Sequence, residues 1–125
     1  MTDKQSLGYG YAKDSWCVYF SGRKIEGALA MTFEVLLDNY AKDPWSVYYN
    51  GEKIEGASTK TFKTLSHGYG KDAWSVYFRG RKIQDASTNA FEILSDGYAK
   101  DAWHVFYLGQ KVKEASTFSF KQLHF

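Results

Sequence analysis

Apolar residues along this chain gather in short β-branched and aromatic triplets. Val18-Tyr19-Phe20, Val47-Tyr48-Tyr49, Val76-Tyr77-Phe78 and Val105-Phe106-Tyr107 are each followed, one residue on, by a glycine. Such triplets are strong strand formers, and Asn50-Gly51 ahead of Glu52-Lys53-Ile54 is a hairpin-turn signal. Upstream, Gly68-Tyr69-Gly70-Lys71 reads as a further short strand, with Asp72 in the turn behind it. An aspartate there closes an Asx-turn onto its own backbone. Ser58-Thr59-Lys60-Thr61-Phe62 offers a capping hydroxyl before a single helical turn, with Phe62 and Leu65 on one side.

The same pattern is written four times. Lys-Asp-x-Trp occurs at Lys13-Asp14-Ser15-Trp16, Lys42-Asp43-Pro44-Trp45, Lys71-Asp72-Ala73-Trp74 and Lys100-Asp101-Ala102-Trp103. Its aspartates stand at 14, 43, 72 and 101, a constant step of 29 with no insertion. Tyr11, Tyr40, Tyr69 and Tyr98 precede the marker; Gly22, Gly51, Gly80 and Gly109 follow it, then Lys24, Lys53, Lys82 and Lys111. Ile25, Ile54, Ile83 and Val112 lead to Ala28, Ala57, Ala86 and Ala115. Phe33, Phe62, Phe91 and Phe120, with Leu36, Leu65, Leu94 and Leu123, close the units, and Leu7 falls in the leucine column. A tail of residues 1–6 is therefore followed by one domain, 7–125, of four repeats at about 7–35, 36–64, 65–93 and 94–125. Each unit reads as two or three short strands, too small to bury its own apolar face, so neighbours must supply the rest. The fold class is all-β: tandem 29-residue repeats of short antiparallel hairpins, stacked openly or closed into a ring.

Tyr40-Ala41-Lys42-Asp43, Val47-Tyr48-Tyr49-Asn50-Gly51 and Lys53-Ile54-Glu55-Gly56-Ala57 resemble the unit of the DKNYY repeat family of bacterial proteins. The likeness covers all four units. It implies no catalytic residues and, for a small member without a secretion signal, an immunity protein against a toxin. The tryptophan after each aspartate departs from the polar residues expected there.

Composition narrows the field further. Aromatic residues make up 18% of the chain, which favours strands and amphipathic surfaces. The formal charge is only +2 and its charges are interspersed, so no nucleic-acid footprint is expected. Cys17, a lone cysteine, suits a reducing compartment, and the first residues carry no apolar signal core. No apolar run reaches membrane-spanning length, and a cytoplasmic, monomeric protein is the expectation.

Catalytic, cofactor and metal chemistry is not expected. His67, His104 and His124 occupy three different columns, and each unit has one marker carboxylate, fewer than a calcium loop needs. Strand alternation places Trp45, Val47 and Tyr49 on one face and Ser46 and Tyr48 on the other. Repeat packing demands identical residues at buried positions, so the four indoles are expected in the core. The alternative is an exposed row that grips a protein or a sugar. Specificity must draw on the columns where copies differ: Cys17/Ser46/Ser75/His104, Ser21/Asn50/Arg79/Leu108, Arg23/Glu52/Arg81/Gln110 and Met31/Lys60/Asn89/Phe118. The contact residues chosen on these grounds are Arg79, Arg81, Tyr48, Tyr77, His104, Trp74 and Trp103. The expected function is a protein-binding module, an immunity protein that blocks a toxin domain. A glycan-binding or self-assembling repeat protein is the alternative.

Overall fold

A computed structural model of the chain describes residues 4–112. The columns at Ala115, Phe118, Phe120 and Leu123, with His124, lie outside the described residues. The described residues form sixteen short strands in four antiparallel meanders. The first holds β1 (Gln5–Gly8), β2 (Tyr11–Lys13), β3 (Val18–Phe20) and β4 (Arg23–Lys24). The second holds β5 (Glu34–Val35), β6 (Tyr40–Lys42), β7 (Val47–Tyr49) and β8 (Glu52–Lys53). In the third are β9 (Lys63–Ser66), β10 (Tyr69–Lys71), β11 (Val76–Phe78) and β12 (Arg81–Lys82). The fourth comprises β13 (Glu92–Ile93), β14 (Tyr98–Lys100), β15 (Val105–Tyr107) and β16 (Gln110–Lys111). The all-β repeat architecture is as the pattern predicts, with four strands per unit and, among the described residues, four separate sheets not closed into a barrel.

Both local signals in the unit form as read. The third and fourth strands are joined by two-residue turns in which both residues have positive φ: Ser21-Gly22, Asn50-Gly51, Arg79-Gly80 and Leu108-Gly109. That geometry matches the twist of the flanking strands and suits Asn-Gly best. Between the second and third strands, the aspartate accepts two backbone amides, as Asp72 Oδ1 does from Trp74 (2.8 Å) and Ser75 (2.8 Å).

Two expectations fail. The segment ahead of Phe62 is an irregular connection leading directly into β9; among the described connectors between units only the first holds a 3-10 turn, at Ala30–Thr32, and the other such turn, Leu37–Asn39, lies between β5 and β6. Phe62 and Leu65 therefore lie in different clusters, Phe62 with Tyr40, Val47, Ile54 and Tyr77, and Leu65 against the Tyr69 cluster. The alternation reading also breaks. Val47 and Tyr48 are adjacent yet both buried, because the second sheet has a core cluster on each face, Tyr48 in one and Val47 in the other, and Trp45 precedes the strand.

The units are sewn together in sequence order. Tyr11 donates its hydroxyl to Asn39 O (2.9 Å) and accepts the Gly51 amide (3.0 Å). Tyr40 does the same with Gly68 O and Gly80, and Tyr69 with Gly97 O and Gly109. Beneath each bridge the aromatic that ends the third strand tilts against the tyrosine, with centroids 4.9 Å apart for Tyr11–Phe20 and 5.0 Å for Tyr40–Tyr49. That ring also lies under the next unit's turn. A Cβ on Gly51 would stand 2.5 Å from Phe20 Cβ, so glycine is required there by contact as well as by φ. Lys13 and Lys42 tie the connectors down through Ala30 O and Thr59 O. In the first unit Lys4 stands 29 residues before Phe33 and places its ammonium 4.0 Å from the Tyr19 ring centroid. Phe33 instead packs its ring on Tyr48, at 5.6 Å. A cation–π contact thus caps the stack where later units have an aromatic pair.

Leu108 sits at φ 47° in its turn, a strained backbone for a branched side chain. Leu108→Asn is expected to raise stability by about 0.5–1 kcal/mol, read as a higher urea midpoint at unchanged slope.

Candidate functional site

The meander topology sorts the turns to two ends of every sheet. Turns between first and second strands and between third and fourth strands share one end. Turns between second and third strands share the other end with the connectors. At the latter end stand the four tryptophans, with exposures of 83% (Trp16), 75% (Trp45), 81% (Trp74) and 72% (Trp103). The expected core placement is therefore overturned. The indoles belong to turn residues, while the core slots are filled by Val18, Val47, Val76 and Val105 and by the tyrosine columns. Met31 in the first connector is also exposed at this end.

What holds each indole outward is the aspartate two residues before it. Asp43 is buried, and its Oδ1 accepts the amides of Trp45 (2.9 Å) and Ser46 (2.8 Å). Its Oδ2 accepts the Tyr48 hydroxyl (3.3 Å) and the amide of Leu29 in the preceding unit (3.0 Å). Asp72 repeats the set with Ser58 and Tyr77, and Asp101 accepts Trp103, His104 and Ser87 amides. Burial raises the Asp72 pKa, but the amides of Ser58, Trp74 and Ser75 and the Tyr77 hydroxyl outweigh it and hold the carboxyl below its usual range. At Asp14 the Cys17 and Trp16 amides and the Tyr19 hydroxyl also lower it. Burial pushes the Tyr11 hydroxyl up to about 12 and raises that of Tyr40 too. These phenols stay neutral bridging groups. Tryptophan presentation and unit stacking thus share one carboxylate.

Among the other residues chosen from sequence, Tyr48 and Tyr77 are each 2% exposed and are excluded as contact residues. Their hydroxyls serve the aspartates, a role that strand propensity alone does not reveal. His104 replaces the serine of neighbouring units and packs edge-on to Phe106, with its Nδ1 buried, lacking a hydrogen bond and 3.8 Å from Asp101 Oδ1. It belongs to the packing around Phe106 rather than to the outward row. Arg79 and Arg81 lie towards the opposite end, away from the indoles, in grooves between units. One of these, about 450 Å³, runs across three units and is lined by Asp38, His67, Arg79 and Asp96 among others. Among the described residues no group of three or more His, Cys, Asp or Glu side chains is placed to hold a metal, and no helix is long and apolar enough to cross a membrane.

Fold and site together define a tandem-repeat β protein in which an aspartate turn, buried in the second, third and fourth units, presents one outward indole per unit. The DKNYY family model matches residues 11–125, and the chain belongs to that family. No curated protein and no solved structure matches it.

Two outcomes follow from this geometry. Each single Trp→Ala variant should change unfolding free energy by no more than about 0.5 kcal/mol, since the ring leaves no cavity. The folded protein should also show long-wavelength indole emission fully quenched by iodide. Asp72→Asn should cost about 3 kcal/mol in urea unfolding at pH 7, because buried amides lose a charged acceptor. With its folded-state pKa lowered, Asp72 stabilises the fold fully above the ordinary aspartate pKa. That stabilisation disappears as pH falls through the lowered value, so the variant should show a flatter acid limb than the parent.

Proposed function

We propose that this chain is a non-catalytic binding protein that holds a protein partner through its row of outward indoles, acting as a cytoplasmic immunity protein against a toxin domain. The single observation that carries the binding reading is the exposure of four equivalent tryptophans on rigid turns. A large apolar ring left in water gains nothing for the free fold, and tryptophan is the residue most enriched among energetic anchors of interfaces. Each indole's backbone is already fixed by its aspartate, so little ordering is lost on contact. The toxin reading is supported by the family resemblance.

A second reading rests on the same row. Indoles repeated at the same position of successive units could stack on successive sugar rings of a glycan, because a sugar's apolar face packs against an aromatic plane.

Co-expression with the product of the neighbouring gene, followed by size-exclusion chromatography, tests the first reading. A co-eluting complex with a neighbour that is toxic alone is expected. Trp74→Ala and Trp103→Ala should each weaken it at least tenfold, about 1.4 kcal/mol. A complex indifferent to all four tryptophans would reject the row as its contact surface. Failure to find a complex, together with binding to a glycan array, would favour the sugar reading.

A further inference from the structure

Identical units create identical grooves, so a groove that departs from its copy carries information. Between the first and second units lies a groove of about 360 Å³ lined by Phe20, Ser21, Arg23, Lys24, Ile25, Asn50, Gly51 and Glu52. Between the third and fourth units the same eight columns line a groove of about 540 Å³, formed by the residues 58 positions further on. The floor is conserved between the two, with Phe78 for Phe20 and Ile83 for Ile25, and Arg81-Lys82 replace Arg23-Lys24. Three positions change. Ser21 becomes Arg79, Asn50 becomes Leu108, and Glu52 becomes Gln110.

Each change moves the groove in one direction. The first groove sets two cations against one carboxylate; the second has three cations and no lining carboxylate. Outside the lining, Lys24 has Glu26 at 4.0 Å, whereas the residue equivalent to Glu26 in the third unit is Gln84. Asp85 follows Gln84 in sequence and does not line the groove. No salt bridge involves Arg79, Arg81 or Lys82 among the described residues. The Arg79 guanidinium is held over the Phe78 ring at 4.9 Å, which orients it; Asp38 and Asp96 line the adjoining groove with Arg79, but neither forms an ion pair with it. Leu108 adds apolar surface where its copy has an amide. Finally β12 is the edge strand of its sheet, so an extended chain can lie alongside it.

We infer that the groove between the third and fourth units is a binding site for an extended acidic segment of a protein partner, whose carboxylates pair with Arg79, Arg81 and Lys82 while an interposed apolar side chain rests on Phe78, Ile83 and Leu108. This deepens the protein-binding reading and lies at different residues from the indoles. The groove is open to solvent, so the attraction is screened, and binding should weaken as salt rises.

The test is fluorescence anisotropy of a labelled peptide alternating glutamate and leucine, with an alternating lysine–leucine peptide as control. The acidic peptide should bind the full chain and the basic one should not. The triple variant Arg79→Ser, Leu108→Asn and Gln110→Glu gives this groove the lining of its copy, a set the fold already tolerates. It should lose at least tenfold in affinity. The reverse triple variant, Ser21→Arg, Asn50→Leu and Glu52→Gln, should gain a second site of similar affinity. Equal binding by the parent and the first triple variant overturns the assignment, as does full displacement of the peptide by equimolar pyrophosphate, which would make this a phosphate site. Trp74→Ala and Trp103→Ala should leave peptide affinity unchanged. Loss of peptide binding in those variants would also overturn the groove assignment, whereas a toxin complex indifferent to them would count against the indole row alone.

Discussion

Each complete unit depends on a carboxylate taken out of water and surrounded by donors. Asp43 and Asp72 each accept two amides of their own turn, one tyrosine hydroxyl and one amide from the unit before. Burying a charge without partners is costly, and here four donors offset that cost. Because one of the four belongs to the preceding unit, the turn is complete only when the stack is. That coupling makes short units of two- to four-residue strands behave as a continuous structure.

The tyrosine hydroxyls solve the corresponding problem at the other end of the sheets. Tyr11, Tyr40 and Tyr69 reach across to the next unit, donating to a carbonyl in one turn and accepting an amide from another. Tight turns expose backbone groups that would be stranded when two units pack, and a phenol satisfies both kinds while its ring fills the core. The glycine of the hairpin turn then lets the neighbouring aromatic come within contact distance of the backbone. Aspartate at one end and tyrosine at the other leave little freedom in how one unit sits on the next.

Such a scaffold leaves two kinds of surface exposed. At one end stand indoles on fixed turns, the same in every unit. Between the units, towards the opposite end, run grooves whose lining differs from pair to pair. On the proposed reading the indoles are shared anchors and the differing grooves the means of discrimination, a division that a repeat protein can vary one column at a time.

Much of this was legible in the chain. The constant step of 29 between aspartates established the unit, Asn50-Gly51 announced the hairpin, and Asp72 announced the turn that it closes. These features are local: they depend on φ preferences and on hydrogen bonds a few residues long. The placement of Trp45 and Tyr48 was not legible, because both are aromatic, both recur every unit, and repetition constrains buried and exposed positions alike. Whether a recurring ring points to core or solvent depends on where the turn hands over to the strand and on what the next unit covers. Leu65 and Phe62 likewise part company because the strand beginning at Lys63 sends them to separate clusters. The sequence by itself determined the repeat, its turns and its strand character, since those rest on near-neighbour chemistry. Only the tertiary structure decided which aromatics became bridges, which became an outward row, and which residues of the next unit share a groove with Arg79, Arg81 and Lys82, because the bridges join residues 28 to 40 apart, the aspartates bond the preceding unit 14 residues back, and the groove is closed by Leu108, Gly109 and Gln110 of the following unit.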